Sequence, residues 1–77
     1  MKKIDEVALW NLFKIYVDED NLINTHACME MIGMSLNRGY YLIHKWTGDD
    51  LIEYGVGERW VWFTAKGLNT SNLSIYP

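Results

Sequence analysis

The chain has 77 residues, of which 49% are apolar, with a formal net charge of −3 and a single cysteine, Cys28. Its length allows one small domain, too short for most multistep enzyme folds, and its apolar content argues against disorder. One cysteine excludes an internal disulfide, and no apolar run is long enough to cross a membrane, so we expect a single cytoplasmic domain with no membrane partner.

The first predicted element is a helix from Lys3 to Val17. Its apolar positions follow helical spacing in two stripes: Ile4, Ala8, Leu12 and Ile15, then Leu9, Phe13 and Tyr16. With Trp10 at the side, this helix is apolar almost all round. Such a helix needs covering on more than one side. We therefore expect one side to face its own domain and the other to face a partner.

The second predicted helix follows an acidic turn at residues 18–21 and a very short strand at Leu22-Ile23. It runs from Thr25 to Ile32, with Asn24 or Thr25 as the N-cap. Gly33 is expected to end it with a positive φ, as a glycine after a helix commonly does. The predicted inward residues are Ala27, Cys28, Met31 and Ile32.

The third predicted helix runs from Leu36 to Thr47, and Ser35 supplies its N-cap. At 100° per residue the apolar side chains cluster on one face: Gly39, Leu42, Ile43 and Trp46. The opposite face carries Asn37, Tyr41, His44, Lys45 and Gly48. This division predicts a helix with one buried face and one polar, aromatic face exposed to solvent.

A β-hairpin is predicted next, with strands at Leu51–Tyr54 and Arg59–Thr64 around a turn containing two glycines. In the second strand Val61 and Phe63 point to one face, and Trp60 and Trp62 point to the other. Both faces are apolar, so the two tryptophans are either part of the core or anchors for a partner. We place the domain at residues 1–68 and expect 69–77 to be an extended or partly disordered tail.

Short motifs from the second helix onward follow the order typical of one family. An apolar-Gly-apolar-Ser turn stands at Ile32–Ser35, a Leu-Ile pair at 51–52, and a Thr-x-x-Gly at Thr64–Gly67. Over about residues 4–68 the chain resembles winged helix-turn-helix proteins of the multiple-antibiotic-resistance regulator type. The resemblance implies an α+β fold, with three helices and a C-terminal two-stranded β-hairpin wing. Asp50 stands where that family usually has glycine before the Leu-Ile pair.

The resemblance also implies a small phage- or plasmid-type transcriptional regulator that binds double-stranded DNA in a sequence-specific way. In this interpretation the third helix enters the major groove, where Asn37 pairs with adenine and Arg38 with guanine. The expected DNA contacts are Thr25, Ser35, Asn37, Arg38, Tyr40, Tyr41, His44, Lys45, Arg59 and Lys66. Because the family's C-terminal dimerisation helix does not fit after Leu68, we expect a homodimer formed through another surface.

Charge leaves a second interpretation open. The chain is mildly acidic, whereas nucleic-acid binders are usually basic, and only residues 21–47 carry a net positive charge, of +1. The alternative is a winged helix that docks on a protein of the host machinery. Its expected interface residues are Trp10, Trp60 and Trp62, in the first helix and the wing.

The residues with reactive side chains do not form a recognisable catalytic or metal-binding pattern. His26, Cys28 and His44 lack the paired spacing of a closed metal site. A Cys-His pair would also need a cleft and a third orienting group. We therefore predict no enzyme activity, no catalytic residue, no metal and no cofactor.

Overall fold

The computed structural model describes residues 2–70. Within that range the helices are α1 (Lys2–Tyr16), α2 (Thr25–Met31), α3 (Leu36–Gly48) and α4 (Ala65–Asn69). The strands are β1 (Ile23–Asn24), β2 (Ile52–Tyr54) and β3 (Trp60–Phe63). They form one antiparallel sheet in the order β1-β3-β2. The α+β class is therefore confirmed, although the numbers of helices and strands differ from those predicted.

The third strand is β1, which extends the predicted hairpin. Ile23 pairs with Val61, and Asn24 pairs with Trp60. The pairing places β3 at the centre of the sheet, where it holds the β2–β3 hairpin against the segment that leads into α2.

Helix α4 was not among the three helices predicted from the sequence. Its residues were predicted only to close the domain after the hairpin. Thr64 caps it, because its Oγ1 accepts a hydrogen bond from the Gly67 amide at 3.0 Å. Glycine is required at position 67, since a Cβ there would collide with the Leu51 carbonyl oxygen. At the start of the predicted tail, Asn69 is the last residue of α4, and the Thr70 carbonyl accepts a hydrogen bond from Trp10 Nε1 at 3.2 Å. The rest of the predicted tail, 71–77, lies outside the described residues.

The predicted caps and turns of the two central helices are confirmed. Asn24 Oδ1 accepts from the Ala27 amide at 3.2 Å, and Ser35 Oγ accepts from the Arg38 amide at 3.2 Å. Gly33 has a φ of +65°, the left-handed conformation expected of a glycine after a helix. Asp50, in the place where the resembling family has glycine, also has a positive φ, of 63°. Aspartate tolerates this conformation better than most residues.

The core lies between α1, α3 and the inner face of the sheet. The rings of Trp10 and Trp46 meet edge to face with centroids 5.1 Å apart, and Trp10 meets Phe63 in the same way at 5.2 Å. Trp10 is 0% exposed. Its prediction as an interface residue is therefore wrong, because the ring fills the centre of the molecule.

Sequence analysis left open which stripe of α1 faces the domain. Leu9 and Phe13 are buried, whereas the other stripe is exposed at its two ends, with Ile4 71% and Ile15 68% exposed, and half-buried between them. Helix α2 is rotated relative to the sequence prediction: Cys28 is buried as predicted and Met29 is buried as well, whereas the predicted inward residues Met31 and Ile32 are exposed. Within residues 2–70, no helix combines the length and apolar character that crossing a membrane requires.

Candidate nucleic-acid interface

The outward face of α3 is the surface on which the predicted DNA contacts concentrate. Three of these residues, Asn37, Tyr41 and His44, have exposed side chains. On the inward face Gly39, Leu42, Ile43 and Trp46 are buried, as predicted. The outward arc, defined here as Asn37, Tyr41 and His44, is therefore available to a partner.

Arg38 flanks the outward arc, but its guanidinium is bound to α1. Nε donates to Asp5 Oδ2 at 3.0 Å, and the terminal nitrogen Nη2 donates to Asp5 Oδ1 at 2.9 Å. These hydrogen bonds hold the pKa of the Asp5 carboxyl below its usual value and raise the pKa of Arg38. The guanidinium also lies over the Tyr41 ring, 5.5 Å from its centroid. The side chain predicted to read guanine is thus already paired with a carboxylate.

Lys45, about two turns later on α3, is also paired with α1. Its Nζ donates to Glu6 Oε2 at 2.9 Å. The same oxygen accepts a hydrogen bond from Trp46 Nε1 at 3.2 Å. Glu6 is almost fully buried, and these two donors satisfy the charge that it carries into the core. Lys45 itself keeps 40% of its side chain exposed, so its charge remains open to solvent on one side.

His44 connects the outward arc to the turn between β2 and β3. Its Nε2 donates to Glu58 Oε2 at 2.7 Å, and this hydrogen bond lowers the pKa of the Glu58 carboxyl. The imidazole also stacks on the Tyr54 ring, with centroids 6.0 Å apart and planes 27° from parallel. The hairpin turn is consequently held beside α3, where both can contact one ligand.

Two of the predicted DNA contacts, Thr25 and Tyr40, are held by contacts with other elements of the fold. Thr25 is 0% exposed, and its hydroxyl donates to the Glu58 and Arg59 carbonyl oxygens at 2.6 and 3.0 Å. Its prediction as a phosphate contact through the backbone amide is wrong, because that amide donates to the Arg59 carbonyl oxygen at 2.9 Å and so joins α2 to the hairpin. The Tyr40 hydroxyl forms a hydrogen bond with His26 Nε2 at 2.7 Å, so this half-buried side chain ties α3 to α2.

The remaining predicted contacts lie on the hairpin, α4 and the α3 cap. Arg59 is exposed at the start of β3. Lys66 is exposed as well, but its Nζ donates to the Asp49 carbonyl at 3.1 Å. Ser35 is exposed and uses its hydroxyl as the N-cap of α3.

The two tryptophans of β3 lie on the outer face of the sheet, as the strand alternation predicted. Trp60 is 48% exposed. Trp62 is half-buried, and its Nε1 donates to Glu53 Oε1 on the neighbouring strand at 3.0 Å. Trp60 therefore offers the larger apolar surface to a protein partner.

A groove of about 560 Å³ lies between α1 and the turn that joins α2 to α3. Apolar side chains line most of it, including Ile4, Ile32 and Met34, and the Arg38–Asp5 pair stands at its edge. The groove continues the exposed apolar stripe of α1.

Three carboxylates, Asp5, Glu6 and Glu58, pair with α3 side chains that were predicted to contact DNA, and none of these pairs was predicted from the sequence. Asp5 is 33 residues from Arg38, and Glu58 is 14 residues from His44. No local spacing links such positions, because the contacts depend on how α1 and the hairpin pack on α3. The one available signal was the slight excess of acidic over basic residues, which implies that many cations have carboxylate neighbours.

Cys28 is buried, and its burial raises the pKa of the thiol. A thiol in that environment is held in its unreactive, protonated form. Among the residues that the structure describes, no group of three or more His, Cys, Asp or Glu side chains is arranged to hold a metal ion.

Comparison of the chain with family models, with curated proteins and with solved structures gives no match.

Proposed function

We propose that this protein is a winged helix-turn-helix DNA-binding domain that acts as a small, phage- or plasmid-type transcriptional regulator. The observation that carries the proposal is the outward arc of α3, which is polar, aromatic and exposed while the opposite face of the helix is buried. The β2–β3 hairpin lies beside this arc, tied to it through His44 and Glu58. A recognition helix with an adjacent wing has this arrangement.

In the proposed complex α3 enters the major groove and the hairpin turn lies on the sugar-phosphate backbone. Asn37 and Tyr41 face the base edges, because they lie on the outward arc in the first two turns of the helix. Arg59, Lys45 and Lys66 approach phosphates, since each keeps its ammonium or guanidinium group near the surface. Phosphate contacts of this kind set position and affinity, whereas base contacts set sequence preference.

Affinity per subunit is expected to be low. Three phosphate-contacting cations give a slope of about −2.7 in a plot of log affinity against log salt concentration, at ~0.9 per charge. A homodimer that contacts two half-sites doubles this slope and the number of base contacts. We therefore propose that the protein binds DNA as a homodimer.

The proposal is tested by titrating fluorescent duplex DNA with the full chain at 50 and 200 mM salt. We use both random-sequence and genomic-library duplexes and measure the mass in solution by light scattering. From the slope above, the affinity should fall about 40-fold between the two salt concentrations for a monomer, and by more than about 1,000-fold for a dimer. Absence of binding at 50 mM salt and micromolar protein rejects the proposal, because even nonspecific binders register there.

A matched pair of variants locates the interface. Asn37→Ala removes an exposed amide from the outward arc, and Asn69→Ala removes an exposed amide from α4. The first should weaken binding to a selected sequence by at least about fivefold, the lower end of the effect of one base contact. The second should leave affinity unchanged. Equal effects of the two changes would assign DNA binding to a surface other than α3.

A second function, docking on a protein partner, is favoured by the apolar groove and by Trp60. These surfaces would bind through apolar burial, and such binding tolerates salt. The expected outcome is a complex with a host protein that persists at 500 mM salt and is lost in Trp60→Ala. A complex that dissociates at 500 mM salt would exclude docking through apolar burial.

A further inference from the structure

We propose that two copies of this chain join through α1, with the two α1 helices packed antiparallel along their exposed apolar stripes. The inference rests on the proposed function in one respect, the homodimer, for which it names the interface. Its evidence lies in α1 and the groove beside it: the exposure of the stripe, the order of charges along the helix, and the position of the groove.

The stripe is exposed at two places that a second copy covers together. Ile4 is 71% exposed and Ile15 is 68% exposed. The two residues are eleven positions apart, about three helical turns, so they lie on one face of α1 at a separation of about 16 Å. In a symmetric pair of subunits the same patch meets itself. Ile4 of one copy then lies opposite Ile15 of the other only if the two helices are antiparallel.

The charges at the two ends of α1 have the order that an isolated helix disfavours. Lys2 and Lys3 begin the helix, and the acidic residues 18–20 follow its end, which gives formal charges of +2 and −3 at the two ends. Cations near a helix N-terminus and anions near its C-terminus oppose the helix dipole. A neighbouring helix of opposite direction removes this conflict, because each charged end then lies beside an end of opposite charge.

The other carboxylates near the start of α1 do not change this pattern. Asp5 is bound by Arg38, and Glu6 is bound by Lys45, so both are neutralised within the domain. An antiparallel pair therefore brings the basic end of each α1 beside the acidic end of the other. A parallel pair would instead place like charges together at both ends. The charges thus favour a second copy over an uncharged apolar partner, and the antiparallel direction over the parallel one.

The apolar groove lies where the second copy would place an aromatic ring. Ile4 and Asp5 line the groove from α1, and Ile32 and Met34 line it from the turn after α2. Tyr16 lies eleven positions after Asp5, hence on the same flank of α1, and is 53% exposed. Two-fold symmetry brings Tyr16 of the second copy beside the end of α1 that lines the groove. Its ring would then cover the apolar side chains there.

Disulfide trapping tests the antiparallel direction. Ile4→Cys and Ile15→Cys are purified separately, reduced, and oxidised without DNA, alone and as an equimolar mixture. The mixture should form a covalent dimer that is lost in each variant alone. Equivalent positions in the antiparallel pair would be about 16 Å apart, whereas a disulfide needs Cα atoms within ~7 Å. The native Cys28 is buried, so wild type should give no covalent dimer.

The matched control is a mixture of Ile15→Cys with Leu68→Cys, which places the second thiol at a 57% exposed site on α4. A mixture of Ile4→Cys and Ile15→Cys that yields no more covalent dimer than this control would overturn the inference. Covalent dimer from Ile4→Cys alone, at the level of the mixture, would indicate a parallel pair and would also overturn it.

Charge reversal tests the same interface without a covalent bond. One variant combines Lys2→Glu with Lys3→Glu, and the other combines Glu19→Lys with Asp20→Lys. Each should lose the dimer in light scattering, because like charges meet at both ends of the pair. An equimolar mixture should recover the dimer, since opposite charges then meet at both ends.

The two charge variants separate loss of the interface from loss of the helix. Each places charges that the helix dipole of α1 favours, so circular dichroism should show undiminished helix content while the mass halves. Variants that keep the mass of a wild-type dimer would overturn the inference, as would a wild type that stays monomeric at high micromolar concentration. A monomer that binds duplex DNA would leave the proposed DNA binding intact. A dimer that traps as described but binds no duplex would overturn the proposed function alone.

Discussion

Helices α1 and α3 are the two longest helices of the described residues, and they present opposite kinds of outward surface. On α1, Ile4 and Ile15 are mostly exposed and continue into an apolar groove. On α3 the outward arc is polar and aromatic, and the cations beside it are paired with Asp5 and Glu6 of α1. Helix α1 therefore presents two kinds of surface. Its carboxylates control the charge of α3, and its own outward stripe suits a second apolar surface.

The carboxylates Asp5 and Glu6 of α1 reduce the positive field of the face that we propose binds DNA. The proposed phosphate contacts therefore depend more on Arg59 and Lys66, which lie outside α3, and on a second subunit. Both helices also share one core, through Trp10 of α1 and Trp46 of α3.

The largest expected effect comes from Trp46, the residue of α3 that packs on α1. It is fully buried, with Trp10 and Phe13 edge to face against it at 5.1 and 5.5 Å. Trp46→Ala should lower the free energy of unfolding by about 3–5 kcal/mol, enough to abolish the cooperative urea transition of a domain this small. Trp60→Ala, at a half-exposed site, should cost less than about 1 kcal/mol. Similar losses for both would mean that the sheet's outer face is buried against a second subunit.

The next largest effect on folding stability is expected where alanine replaces Gly67 of α4, in contrast to Gly48 of α3. A Cβ on Gly67 would collide with the Leu51 carbonyl oxygen, whereas a Cβ on Gly48, at the end of α3, meets nothing within 4 Å. Gly67→Ala should therefore destabilise the protein by about 1–3 kcal/mol. Gly48→Ala should be neutral or stabilise it by up to about 1 kcal/mol, because alanine favours the helix. Urea unfolding of both variants measures the difference. Equal stabilities would show that α4 moves easily relative to the sheet.

Local features of the fold were predictable from the sequence, and contacts between distant elements were not. The Ser35 cap, the Gly33 turn and the buried face of α3 were predictable, because each depends on residues within a few positions. Helix α4 was not, since Gly67 is a poor helix former whose role is to let the backbone approach Leu51 closely.

The same distinction applies to the candidate site. The exposure of Asn37 and Tyr41 followed from the period of α3, whereas the pairing of Arg38 with Asp5 did not. That contact joins positions 33 residues apart and exists only because α1 packs beside α3. The short helix α2 gave a similar error. Met29 turned inward because Gly39 leaves room for its side chain, a feature of the neighbouring helix.

A smaller effect is expected from the Arg38–Asp5 pair itself. Because Arg38 holds the pKa of Asp5 below its usual value, the pair stabilises the folded state above the unfolded pKa of about 3.8. The stabilisation is lost as the pH falls through the lower, folded pKa. Asp5→Asn should therefore cost less than about 1 kcal/mol at pH 7 and pH 5, since the pair is partly exposed. Urea unfolding at pH 3 should show a smaller difference from the wild type.

The smallest change in folding stability is expected for a substitution in the exposed apolar stripe of α1, which ends at Ile4 and Ile15. The same substitution should clearly change the mass of the protein in solution. Ile15 is 68% exposed, so Ile15→Glu should change the free energy of unfolding of one subunit by less than about 0.5 kcal/mol. If the stripe joins two subunits, the charge should convert the homodimer to a monomer in light scattering and halve the salt slope of DNA binding. Leu68→Glu places the same charge at a 57% exposed apolar site on α4 and is the matched control. A dimer that survives Ile15→Glu but not Leu68→Glu would move the subunit interface from α1 to α4.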